Sequence, residues 1–171
     1  MLVAASALAF DARREMAVFL RTRVDSVRAI LLPAFTVNAL AATSALIIGS
    51  LAAWYETAVL LGGLPAVPML VGIAYGALFL VFAVATVAAV AAVVRGVLAA
   101  AGIALTVLLV LAILGSFGSL GHWLPTSLAG AMAALVRDTS PADYLPAAGI
   151  TAVLAVALVW FAISMGSRRE L

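Results

Sequence analysis

Few residues in this chain carry groups that react, and they are scattered. His122 is the single histidine, Cys is absent, and every basic residue is Arg. Without Lys there is no phosphate loop ending in Gly-Lys-Ser/Thr and no Schiff-base amine. Without Cys there is no disulfide, thiolate metal site or thiol nucleophile. One histidine does not build a His-based metal centre. The acidic residues Asp11, Glu15, Asp25, Glu56, Asp138, Asp143 and Glu170 include no pair at a spacing suited to acid–base work. His122, beside Trp123, reads as an interfacial polar residue. The expectation is a protein without its own catalysis, metal or bound cofactor. No nucleic-acid module is visible, because topology accounts for the arginines.

The elements that carry these residues are set by hydropathy. The 171 residues are 67% hydrophobic and 9% charged, with a mean hydropathy of +1.31. An ordinary soluble domain is roughly half apolar and a quarter charged. A span needs about 20 mostly apolar residues. The uncharged windows Arg28–Glu56, Glu56–Arg95, Arg95–Arg137 and Asp143–Arg168 enclose 27, 38, 41 and 24 residues. Each holds one span. Residues 29–53, 67–93, 96–114 and 147–165 are the expected helices, giving an all-α, polytopic transmembrane bundle in a single domain over residues 1–171. Pro33 falls in the opening turn of the first, where a missing N–H costs little. Gly62, Gly63, Pro65 and Pro68 punctuate the approach to the second span. Gly115, Gly118 and Gly121 follow the third, and Pro141 and Pro146 precede the fourth.

Arginine gives the spans a direction. With four crossings, Arg13, Arg14, Arg21, Arg23, Arg28, Arg95, Arg168 and Arg169 share one side, against Arg137 on the other. By the positive-inside rule the first side is cytoplasmic. The protein is expected in the cell membrane with both termini inside. Met1–Phe10 is apolar but too short to span, and reads as the tail of a preceding span or as an interfacial anchor. It lacks the basic start and cleavage site of a signal peptide. Residues 11–28 form an amphipathic cytoplasmic helix with Met16, Phe19, Leu20, Val24 and Val27 at helical spacing. Such a helix suits an anionic lipid surface or a cytoplasmic partner. Residues 116–146 form a long outer loop. Within it Leu124, Leu128, Met132 and Leu135 recur at helical spacing after Pro125. Ser140-Pro141-Ala142-Asp143 reads as a second helical start, with Ser140 as N-cap.

Inside the spans, polarity is sparse. Asn38 is the costliest group to bury, and serves as interhelical glue or lines a path. Gly72 and Gly76 form a GxxxG pair that admits a close neighbour. Trp54-Tyr55-Glu56 reads as an aromatic anchor with a boundary charge. No charged residue falls within the expected spans, which argues against a proton-coupled transporter.

The order of parts then carries a resemblance. Asp11-Ala12-Arg13-Arg14-Glu15, Phe19-Leu20-Arg21-Thr22-Arg23 and Ser26-Val27-Arg28 precede a long apolar region. His122-Trp123-Leu124-Pro125-Thr126-Ser127-Leu128 and Asp143-Tyr144-Leu145-Pro146 follow, and a last span ends in Gly166-Ser167-Arg168-Arg169-Glu170-Leu171. Nearly the whole chain resembles the permease subunit of an ABC-2 type transporter, an ATP-binding-cassette exporter. The resemblance implies six spans, of which these are the last four, the first and most of the second being missing. It implies pairing with a second permease subunit and two cytoplasmic ABC ATPase subunits that use the ATP. Glu15, Phe19, Arg21, Arg23 and Arg28 then become ATPase contacts, and the short helices around Trp123, Leu128 and Met132 an outer gate. The alternative is a structural or accessory membrane protein that assembles with other helices and transports nothing.

Overall fold

The computed structural model describes residues 28–63, 65–137 and 139–168. Met1–Phe10 and all of the amphipathic segment except Arg28 lie outside the described residues. Among the described residues five α-helices occur: α1 (Arg28–Leu61), α2 (Ala66–Val93), α3 (Val97–Gly115), α4 (Ser127–Leu135) and α5 (Leu145–Arg168). Single 3-10 helices occupy Gly118–Trp123 and Pro141–Tyr144. No strand occurs among the described residues. Among the described residues four stretches are long and apolar enough to cross a membrane: Leu31–Leu60, Ala66–Val93, Val97–Gly115 and Pro141–Ser167.

Three of the four expected spans fall within a few residues of the helices found. The first does not. α1 runs on to Leu61, so Trp54, Tyr55 and Glu56 lie within the helix and not at its end. The reason is local: Thr57-Ala58-Val59-Leu60-Leu61 offers nothing to stop a helix, and one charged residue does not break it. Gly62 ends it, with φ 101°, a backbone conformation that costs glycine little. Glu56 therefore belongs to a span-forming helix, and Asp143 stands near the start of the Pro141–Ser167 stretch, contrary to the expectation that no span holds a charge. Glu56 stands 28 residues beyond Arg28, about 42 Å along the axis at 1.5 Å per residue, a length greater than the roughly 30 Å hydrocarbon core of a bilayer. Pro33 also lies inside α1, beyond its first turn, and the helix continues through it.

α2 is the hub, packing against α1, α3, α4 and α5. Its sequence explains this. From Phe82 to Ala89 every residue is buried, and this stretch is apolar and mostly small on all sides. A helix hydrophobic all round suits the centre of a bundle, and small residues let neighbouring backbones approach. One core cluster joins Leu31 of α1, Val87 and Ala88 of α2, Ala101 and Ala104 of α3, and Ala162 and Ile163 of α5. A second joins Phe82, Ala83 and Ala85 to Leu108 and Ala155. The first cluster puts the start of α1, the end of α2, the start of α3 and the end of α5 at one end of the bundle. Arg28, Arg95 and Arg168 are at that end. Glu56, His122, Trp123, Arg137 and Asp143 are at the other.

Buried hydroxyls are satisfied within their own helices. Thr86 Oγ1 donates to the Phe82 carbonyl at 3.0 Å, and Thr151 Oγ1 to the Ala147 carbonyl at 2.6 Å. Each returns its hydrogen bond one turn back, so neither demands a polar neighbour in an apolar core. The Trp54 indole is treated differently: Nε1 is shielded and has no acceptor among the described residues.

Candidate functional site: an outer cap and a flank cleft

The segment between α3 and α5 is a folded cap, held at three points. Its first turn returns onto the end of α3. A Cβ added at Gly121 would lie 2.5 Å from the Gly115 carbonyl oxygen, so only glycine allows this approach. Thr126 Oγ1 then donates to the Leu111 carbonyl at 3.3 Å, and Pro125 is fully buried. The second point is α4 itself. Leu128, Ala131 and Leu135 recur at spacings of three and four and are almost completely buried, so the short helix spends its apolar face on the bundle. It seats against α2 where α2 has no side chain: a Cβ at Gly72 would stand 2.5 Å from Met132 Cα.

The third point closes the cap. Ser140 Oγ accepts from the Ala142 N–H at 3.3 Å, with Pro141 in the first turn, the cap geometry the sequence suggests. Tyr75 of α2 reaches across to it. Its hydroxyl donates to the Pro141 carbonyl at 2.9 Å, and its ring lies 5.7 Å from that of Tyr144 at a tilt of 39°. Tyr75 lies inside the Gly72–Gly76 pair, whose spacing says nothing of the phenol. The only sequence signal is a phenol placed three residues after Gly72 on an otherwise apolar helix.

The second feature is an apolar cleft of about 290 Å³ on the flank of the bundle. It is lined by Phe35 of α1, Val81 of α2, and Ala155, Val156, Val159, Trp160 and Ile163 of α5. Val156 and Trp160 at its rim are 71% and 70% exposed, so the cleft opens sideways, away from α2.

The residues singled out from sequence are distributed unevenly over these two features. Gly72 and Gly76 both pack helices, but against different partners: Gly72 receives α4, while a Cβ at Gly76 would meet Leu46 Cδ2 of α1 at 3.2 Å. Asn38 lies on the inward stripe of α1, one turn beyond Phe35. Its amide donates to the Ala34 carbonyl of its own helix at 2.8 Å, so that bond joins no second helix. Leu128 and Met132 face the bundle, whereas Trp123 is 56% exposed. Glu15, Phe19, Arg21 and Arg23 lie outside the described residues, and Arg28 opens α1. His122, Glu56, Arg137 and Asp143 are exposed. Among the described residues no three His, Asp or Glu side chains gather as a metal site would need.

Fold and cap together define a class: an all-helical bundle with, among the described residues, four helices long and apolar enough to span a membrane, bearing a packed helical cap at the end opposite Arg28, Arg95 and Arg168. No protein-family model, no curated protein and no solved structure matches the chain.

Proposed function

We propose that this chain is a membrane-embedded permease subunit of an ATP-binding-cassette exporter, coupling through its arginine-rich N-terminal segment to separate ATPase subunits. The reading starts from the order of parts in the sequence. The observation that carries it furthest is the cap. A connector that merely joins two spans needs only a few residues. Here residues 116–144 bury Pro125, Leu128, Ala131 and Leu135 and are tied to α2 through Tyr75. A pathway that opens alternately to two sides needs such a part at one mouth, where it can separate from the bundle as a unit. Conformational change of this kind proceeds by movement of packed elements between discrete arrangements.

The accessory-protein alternative draws on a different observation. The outer flanks of α1 and α3 are apolar and exposed, with Val37, Leu40, Ile48, Leu98, Leu105 and Leu109 among them. Such surfaces suit assembly with further helices whether or not anything is transported.

One experiment separates the readings. The full chain is purified from its native membrane and assayed for a co-purifying ATPase subunit, and transport is compared between wild type and Arg21→Glu/Arg23→Glu. The permease reading expects a bound ATPase and loss of transport in the double variant. If no ATPase binds and transport is unchanged, the accessory reading replaces it.

A further inference from the structure

The outer ends of the four spans do not stand at one height. α3 has 19 residues, about 28 Å at 1.5 Å per residue, which matches a hydrocarbon core about 30 Å thick. Its flank therefore meets the outer boundary near Gly115. Leu108 packs with Phe82, Ala83 and Ala85, so Gly115, seven residues on, comes level with Gly76 of the antiparallel α2. The cap sits at that height: Gly121 lies on the Gly115 carbonyl, Met132 on Gly72, and the Pro141 carbonyl on Tyr75. The cap carries the exposed groups His122, Trp123, Arg137 and Asp143, the mixture of aromatic and charged residues that suits a membrane–water interface. α1 goes further. Two contacts fix its register against α2: Leu31 shares a core cluster with Val87 and Ala88, and Leu46 Cδ2 is the atom a Cβ at Gly76 would meet. Glu56 stands ten residues past Leu46, about 15 Å, of which the step from Gly76 to Gly72 takes up about 6 Å. So α1 rises about 9 Å above the seat of α4 before its first charge, and about 15 Å before Leu60.

We propose that the outer half of α1 is covered by lipid acyl chains, so that the outer boundary of the bilayer meets the protein at two heights: near Glu56 on the α1 flank and at the cap on the α3 and α5 flank. The character of the surface decides the occupant. Ile47, Ile48, Leu51, Tyr55, Val59 and Leu60 are all exposed, and at 3.6 residues per turn they spread over more than half the circumference of the helix. A face turned to one packed partner is a stripe about 100° wide, with polar residues opposite, whereas a helix apolar all round suits a membrane. Between Leu46 and Leu60 the one charged residue is Glu56, and it stands beside Tyr55, which is 72% exposed. An exposed phenol and a carboxylate together mark an interfacial level, as Trp123, Arg137 and Asp143 do on the cap. Unequal apolar lengths around one protein are accommodated by tilting or by local thinning of the bilayer; either way the outer leaflet slopes down from α1 to the cap. The inference rests on the four spans and not on transport, so it stands or falls separately from the permease reading.

The test compares positions at equal height on the two flanks. Ile48 and Leu51 of α1 lie level with the seat of α4, and Ala142 lies in the cap; all three are exposed. Ile48→Cys, Leu51→Cys and Ala142→Cys are made singly in the full chain, labelled with the fluorophore NBD in detergent and reconstituted into dioleoyl phosphatidylcholine vesicles. Quenching is read with iodide present on both sides of the membrane and, separately, with lipids carrying a doxyl group on the acyl chain. Iodide quenching should be present at Ala142→Cys and lost at Ile48→Cys and Leu51→Cys, and doxyl quenching should show the reverse. Thermal unfolding checks that each variant folds as wild type does, and the two α1 positions give the same readout if one of them fails. Iodide quenching at Ile48→Cys and Leu51→Cys equal to that at Ala142→Cys overturns the proposal, because α1 then stands in water. Quenching of the α1 positions by neither reagent overturns it too, and gives this face to a second copy. Doxyl quenching at Ala142→Cys as strong as at Ile48→Cys would sink the cap into the leaflet and leave a single boundary, which is the third result that refutes it.

Discussion

Gly72 and Gly76 stand one turn apart on α2, and the space each leaves is used by a different neighbour. At Gly72 the neighbour is the α4 backbone, which has no room to withdraw without unseating Leu128 and Leu135. At Gly76 it is the far end of the Leu46 side chain, which can turn aside. The two positions should therefore respond differently to the same methyl group. Gly72→Ala is expected to cost about 1–3 kcal/mol, the range for overpacking a filled interior. Gly76→Ala should be near neutral, because the bulk it adds meets a flexible end and the helix gains propensity. Thermal unfolding of the two variants in the same detergent measures the difference, and equal midpoints would contradict the close approach at Met132.

At the scale of the element, α4 is too short to be stable alone. Nine residues fall below the length at which an isolated helix holds in water, so its existence depends on the face it buries. Leu128→Ala removes a side chain with no exposure and should destabilise by about 2–5 kcal/mol. The loss should be local before it is global. Hydrogen exchange is expected to rise across residues 124–136 while Phe82–Ala89 of α2 stays protected, because partly independent units open at their own free energies. Uniform acceleration over both segments would mean that cap and bundle unfold as one. The sequence made this element partly legible: Pro125 and the recurrence of Leu128, Met132 and Leu135 marked a helix. Its seat did not follow, because periodicity gives a face and not its partner.

For the whole molecule, the arginine distribution predicts orientation and the fold makes it testable. Arg28, Arg95 and Arg168 share one end of the bundle, and the cap occupies the other. The chain has no native cysteine, so single cysteines report without background. Ala142→Cys in the cap and Ser167→Cys at the arginine end are both at exposed positions. A membrane-impermeant maleimide applied to intact cells should label the first. The second should be labelled only after permeabilisation. Reversed labelling would invert the assignment, and labelling of both from outside would refute four crossings.

That four long apolar helices occur among the described residues was determined by the sequence alone, because an uninterrupted apolar window of span length satisfies its backbone in a membrane as a helix. The exception was the end of α1. There a charge at Glu56 was read as a boundary, and the helix instead continues until Gly62 supplies a conformation that ends it. What the tertiary structure decided is which helix lies at the centre and what each polar or missing side chain is for. Hydropathy is high on every face of α2, α3 and α5, so it cannot rank them. The small residues of α2 over Phe82–Ala89 allow α1, α3 and α5 to close on it at once, and Gly72 admits α4 further along. Asn38 bonds within its own helix, the two glycines serve separate contacts, and Tyr75 ties the cap to the bundle. None of these roles is written in spacing, because each depends on which atoms another helix brings within a few ångströms.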